Sequence, residues 1–182
     1  MVQYICRTEC ERISGVEVLT YRIRLPKWEN LDRISAFYAE IEERTRSFCE
    51  MVLKKMAREI FEASEDPKKY FCFPTFRYTL EGQVVYENTE TDIVSVRLLA
   101  ELKRRGSVDC LERQVQAHTW SLSEEVFLPV EQIAERLGKT ELIPRKNRKM
   151  REILVDHGEM FFCQNGGLEK LESALLSKKS KI

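Results

Sequence analysis

The clearest pattern in the chain is an alternation. Leu19, Tyr21, Ile23 and Leu25 are apolar, and Thr20, Arg22 and Arg24 between them are polar. A period of two with one apolar face predicts a half-buried strand over 16–25. Residues 2–12 are short, mixed and weakly β-like, and Ser14-Gly15 between the two stretches predicts a hairpin. Pro26 is expected to end the pairing, because proline has no ladder N–H to donate.

The period then changes. Leu31, Ile34, Phe37 or Tyr38, Ile41, Phe48, Val52, Met56 and Ile60 recur at spacings of three and four, with charged residues between them. This predicts one long amphipathic helix over about 31–63, with that stripe turned inward, Asn30 as its N-cap and Asp66-Pro67 as its stop.

Alternation returns at Phe76, Tyr78 and Leu80. A Glu81-Gly82 turn is expected next, then a strand at Val84–Tyr86. A long strand over 93–103 carries Val94, Val96, Leu98, Ala100 and Leu102 on one side, and Gly106 stands in the reversal that follows. Leu111, Val115 and Ala117 then alternate up to Trp120, so the two long strands form an antiparallel hairpin. Pro129 opens a helix with Val130, Ile133, Ala134 and Leu137 inside and Gly138 as its stop. Residues 145–151 open another helix with Met150, Ile153 and Leu154 inside. Met160–Cys163 reads as a short strand, Asn165-Gly166-Gly167 as a turn, and Leu168, Leu171, Ala174 and Leu175 as a last helix before a frayed tail at 177–182. Strands and helices follow one another without βαβ alternation. The expected class is therefore α+β: an antiparallel sheet packed against one long helix, with shorter C-terminal helices.

Composition narrows this picture. A chain of 182 residues with 5 prolines and 7 glycines fits a single domain, 1–182, with no flexible linker. Lys+Arg and Asp+Glu balance at 30 each, so there is no global argument for a polyanionic partner. No signal peptide pattern opens the chain and no apolar run approaches a membrane span. The expected setting is soluble and cytoplasmic, with a trimmed extracytoplasmic chain as the alternative. Cys6, Cys10, Cys49, Cys72, Cys110 and Cys163 are scattered through apolar patterns and read as buried free thiols.

Candidate chemistry is thin. Cys6 and Cys10 form C-x3-C, but a zinc site needs two more clustered ligands. His118 shares the strand face of Gln114 and Gln116, which points to an exposed or cross-strand-bonded histidine. His157, in Asp156-His157-Gly158-Glu159, reads as a helix-end cation complementing the dipole. Cys110 beside Asp109 lacks an adjacent base to activate it. Neither a P-loop nor a GxGxxG motif occurs, which argues against nucleotide chemistry, and no cofactor is implied. Arg145, Lys146, Arg148, Lys149 and Arg151 form a basic run, with Lys178, Lys179 and Lys181 as a second cluster. Such a run could meet an anionic partner, although a solvated face is the commoner reason for one.

The order of elements resembles a known bacterial family. Ile93-Val94-Ser95-Val96, Arg104-Arg105-Gly106, Thr119-Trp120-Ser121-Leu122 and Leu128-Pro129-Val130-Glu131-Gln132-Ile133 stand where that family has its strand, reversal, aromatic strand end and helix start. On these motifs the chain resembles the C-terminal domain of unknown function of the lysozyme-sensing anti-sigma factor RsiV, a domain similar to ones that accompany some peptidoglycan deacetylases. The likeness runs through most of residues 16–163. The family's Gly-Ala-His reversal is replaced by Gly106-Ser107-Val108-Asp109-Cys110. The resemblance implies the fold and assigns no site residue.

The function expected from all of this is a non-enzymatic ligand- or protein-binding or sensing domain with a protein partner. A nucleic-acid-associated protein using 145–151 is the alternative. An enzyme with residues gathered from distant strands is a third reading.

Overall fold

Ser14 and Gly15 both have positive φ, 51° and 82°, and Ile13 pairs with Val16 across them. Two left-handed residues in a two-residue loop match the right-handed twist of the strands they join. The result is the expected hairpin of β1 (Val2–Ile13) and β2 (Val16–Trp28). The computed structural model describes residues 1–64, 73–105, 110–142, 152–164 and 167–171. Pro26 does not stop β2. It pairs with Tyr4 on the β1 side, beyond Arg24–Glu81, where pairing on the β3 side has already ended. The missing N–H is therefore tolerated there.

The chain next enters a helix of 31 residues, made of α1 (Asp32–Phe48), a π-helical turn (Cys49–Leu53) and α2 (Lys54–Glu62). Its N-cap is Leu31, not Asn30, and no side chain caps it. Ser35 secures the entry instead: its Oγ accepts from the Trp28 N–H and donates to the Trp28 carbonyl, both at 2.9 Å. The inner stripe is Ile34, Tyr38, Glu42, Cys49, Leu53, Ala57 and Phe61. Its second half lies one residue away from the expected one, so Phe48, Val52 and Ile60 are exposed. A stripe spaced by fours drifts around a 3.6-residue helix, and a π turn, one residue wider, rotates it back toward the sheet.

Two units divide the described chain. The first comprises residues 1–81 and 99–113, and the second 82–98 and 114–182. One five-stranded sheet has the order β1-β2-β3-β4-β5, with β3 (Phe76–Asn88), β4 (Ile93–Arg104) and β5 (Cys110–Ser121). β3 is continuous through Glu81-Gly82, where a turn was expected. It pairs parallel to β2, Leu19 with Phe76 through Arg24 with Glu81. The long helix is thus the crossover of a parallel pair, the long connection that such a pair requires. In the first unit it lies on the buried side of β2, against Leu19, Tyr21, Ile23 and Leu25, where the Tyr21 hydroxyl donates to Glu50 at 2.7 Å. Arg7 reaches Glu42 at 2.7 Å, and Glu11 meets Arg58 at 3.0 Å.

The second unit contains the main departure from expectation. Residues 153–170 form a three-stranded antiparallel sheet, β6 (Ile153–Asp156), β7 (Glu159–Gln164) and β8 (Gly167–Lys170), where helices were expected on either side of one short strand. His157 and Gly158, with φ of 48° and 77°, make a second tight turn. Strands occupy about half of the described residues, in two sheets, and the one short α-helix is α3 (Val130–Arg136). The α+β class with short helices packed on the sheet therefore does not hold, and the described protein is mostly β. The sheet is not purely antiparallel either, since β2 and β3 run parallel. The expected tail at 177–182 lies outside the described residues.

The core of the second unit holds Ile93, Ile133, Ala134, Val155, Met160 and Leu171. A hydroxyl chain crosses its interior. The Val155 N–H donates to Ser95 Oγ at 2.8 Å, Ser95 and Thr119 hydroxyls meet at 2.7 Å, and Thr119 donates to the Ile153 carbonyl at 2.5 Å. Since Thr119 gives its proton to Ile153, Ser95 must give its own to Thr119. Asp92 anchors the neighbouring loops through Ser121 Oγ, the Ser123 N–H and Arg136. Burial opposes its ionisation, but these donors outweigh burial and hold the carboxyl down at about 2.

Candidate functional site

The helix covers one face of the first unit's strands and leaves the other face open. The register places three rungs on that open face. Cys10, Thr20 and Arg77 form the first, Thr8, Arg22 and Thr79 the second, and Cys6, Arg24 and Glu81 the third. Cys6, Thr8, Cys10, Arg22, Arg77 and Glu81 are exposed, while Thr20, Arg24 and Thr79 are half-buried. Adjacent strands lie about 4.8 Å apart, so each rung is a short row of polar groups within reach of one ligand segment.

The electrostatics of this face are uneven. Arg24 is engaged: its guanidinium lies 3.8 Å from the Tyr4 ring centroid and donates to Glu81 at 2.9 Å. Thr20 donates to Glu17 at 2.7 Å, and this bond is the main reason the Glu17 carboxyl lies below its ordinary range. Arg22 and Arg77 form no ion pair among the described residues. They are the two cations that the face offers outward, surrounded by the hydroxyls of Thr8 and Thr79. Arg guanidinium groups suit this role, because their planar forks pair with carboxylates through two parallel hydrogen bonds.

The residues singled out from sequence fall in several places. Arg145, Lys146, Arg148, Lys149 and Arg151 lie outside the described residues, as do Cys72, Asp109 and Lys178, Lys179 and Lys181. Of the two alternatives expected for His118, exposed or cross-strand-bonded, full exposure does not hold. The residue is half-buried and edge-to-face with Phe127, ring centroids 5.6 Å apart, and burial lowers its pKa to about 4. His157 sits in the β6–β7 turn, not at a helix end, and its imidazole faces Asp156 at 3.6 Å. Cys6 and Cys10 are exposed on β1, against the expectation of buried thiols, while Cys49 is buried. Burial pushes Cys49 up to about 12 and Cys163 up to about 11, so neither is a ready thiolate. The Cys110 thiol donates to the Glu112 carbonyl at 2.9 Å. Among the described residues no group of three or more His, Cys, Asp or Glu side chains is placed to hold a metal ion, and no helix is long and apolar enough to cross a membrane.

The open face was present in the sequence as alternate polar residues. Thr20, Arg22 and Arg24 could be assigned to one side of β2, but their gathering with Arg77 and Thr79 depends on a pairing nearly sixty residues apart in the chain.

No protein-family model and no curated protein matches the chain. Among solved structures, it is similar to a DUF3298 family protein from Pseudomonas aeruginosa PAO1, with 9% identity, a TM-score of 0.49, and coverage of 89% of this chain and 81% of the other. It is also similar to a DUF3298 family member from Bacteroides fragilis, with 10% identity, a TM-score of 0.48, and coverage of 89% and 82%.

Proposed function

We propose that the chain is a non-enzymatic binding domain that receives an acidic segment of a protein partner on the open face of β1–β3. The observation that carries this reading is the pair of outward guanidinium groups, Arg22 and Arg77, set among threonine hydroxyls on adjacent strands. Spaced carboxylates and main-chain groups of an extended acidic peptide complement that pattern. Glu17 and Glu81 on the same side favour a partner whose negative charges are interrupted over a phosphate backbone, which is negative at every step. The resemblance of residues 16–163 to the RsiV-like domain supports a binding or sensing role of this general kind.

Fluorescence anisotropy with a labelled Glu/Asp/Ser-rich peptide, beside a labelled oligo-dT, tests the reading. The expected result is that the peptide binds, weakens with added salt, and loses about tenfold or more in affinity in the Arg22→Glu, Arg77→Glu double variant. Unchanged peptide affinity in that variant, or tighter binding of oligo-dT than of the peptide, contradicts it. The second outcome would move attention to the basic run at 145–151.

A further inference from the structure

Among the described residues, β1 is an edge of the five-stranded sheet, with β2 as its one neighbour in the order. It is 12 residues long, and a register shift between Glu11 and Arg12 marks where its regular stretch ends. A long, regular edge presents unpaired main-chain groups, and natural proteins usually protect such edges with proline, lysine or an early bulge. Between Ile5 and Glu11 this strand has no proline, lysine or register shift, and its charged residues, Arg7, Glu9 and Glu11, carry both signs, so they do not simply repel a second copy.

The side chains of that stretch are self-complementary about Thr8. If two copies of β1 lie antiparallel with Thr8 opposite Thr8 of the second copy, Arg7 falls opposite Glu9 and Cys6 opposite Cys10, twice each by symmetry. Directly opposite residues of an antiparallel pair point to the same side of the sheet. The Arg7–Glu9 pairs then lie on the helix side and the Cys6–Cys10 pairs on the open side. Arg7 and Glu9 already lie 3.6 Å apart within one chain, with side chains 41% and 37% exposed, so both are accessible to a second copy. Cys6 and Cys10 are exposed. A two-fold pairing repeats each contact, which is the form taken by most homodimer interfaces.

We infer that β1 is a homodimerisation edge, occupied by β1 of a second copy in antiparallel register centred on Thr8. The contact is formed by main-chain ladder bonds and crossed Arg7–Glu9 pairs. Cys6 of each copy is placed beside Cys10 of the other. Within one chain the two thiols cannot bridge, because residues four apart on a strand are separated by about 13 Å, whereas disulfide-linked Cα atoms lie within about 7 Å. Across the two-fold, opposite Cβ atoms fall about 4.5–5.5 Å apart, close to bridging range. This inference is independent of the ligand proposed for the open face.

The test has two readouts. Sedimentation equilibrium under reducing conditions is expected to give a monomer–dimer equilibrium. Incubation with oxidised glutathione is then expected to give a covalent dimer by thiol–disulfide exchange, in which two protein thiols become one disulfide and one glutathione disulfide becomes two glutathione thiols. Tryptic mass spectrometry should place the link between the Cys6 and Cys10 peptides. Cys6→Ser alone and Cys10→Ser alone should each lose that link, and an equimolar mixture of the two variants should regain it. A monomer at the highest soluble concentration, a Cys6–Cys6 or Cys10–Cys10 link as the main product, or a mixture that stays uncrosslinked would each overturn the inference.

Discussion

Thr119→Val is expected to lower the free energy of unfolding by about 3 kcal/mol, since it leaves buried hydrogen-bonding groups without partners. Valine has nearly the volume of threonine, so the core keeps its shape and the loss isolates the hydroxyl. Thr119 and Ser95 are 4% and 0% exposed, so water cannot replace the missing group. The substitution removes the donor to the Ile153 carbonyl and the acceptor of the Ser95 proton together. Because Val155 N–H, Ser95, Thr119 and the Ile153 carbonyl form one directed chain, breaking any link weakens the rest. Ser95→Ala should therefore be costly alone and add less than its own cost to Thr119→Val. Urea midpoints of the two single variants and the double variant measure this. A Thr119→Val midpoint equal to the parent, or full additivity in the double variant, contradicts the directed chain.

The second large effect is a loss of stability on mild acidification. His118 is half-buried beside Phe127, and desolvation lowers its pKa from 6.5 to about 4. The folded state therefore holds fewer protons at this site than the unfolded chain between those two values. Stability is fully present above pH 6.5 and falls as the pH drops toward 4. A shift of this size corresponds to at most about 3 kcal/mol, and solvent screening reduces it. Asp92 has the same sign in a lower window. Its carboxyl, held at about 2, contributes stability that is lost only as the pH falls below its ordinary value of 3.8 toward 2. Urea titrations at pH 7.5, 6 and 4.5 on the parent and on His118→Gln separate the two. The slope over this range should flatten in the variant, and an equal slope in both proteins would rule out His118 as its source.

Much of the first unit was legible because its signals are local. The Ser14-Gly15 hairpin, the alternation of β2 and the continuous periodic run after Pro26 each depend on near neighbours in sequence. The helix shows where such reading fails. Its extent was visible, but Phe48, Val52 and Ile60 were assigned inward because a 3.6-residue period was carried through Cys49–Leu53. A π turn leaves no plain mark in composition, and it moved the buried set to Cys49, Leu53, Ala57 and Phe61. The stretches on either side of the Met160–Cys163 strand fail for a different reason. Ile153-Leu154-Val155 is a short apolar run that suits a strand or a buried helix segment equally, whereas the run Met160-Phe161-Phe162 was read as the strand it is. The deciding signal was His157-Gly158, a pair that accommodates positive φ, flanked by those β-branched and aromatic runs.

The open face was the least legible part, because it exists only once β3 is laid parallel to β2. No local pattern states that Arg77 belongs beside Thr20. The same holds for β1. Cys6 and Cys10 looked like an incomplete metal motif in sequence, and the position of their strand at the border of the sheet emerges only from the strand order.

The central claim is that the open face of β1–β3 is where this protein meets its partner. Backbone amide chemical-shift mapping tests it most directly, with isotope-labelled protein titrated by the acidic peptide. The predicted result is a continuous set of shifts at Thr8, Thr20, Arg22, Arg77 and Thr79, diminished by salt. Shifts that leave these residues unmoved and cluster on the exposed helix residues Phe48, Met51 and Val52, or at 145–151, would contradict it.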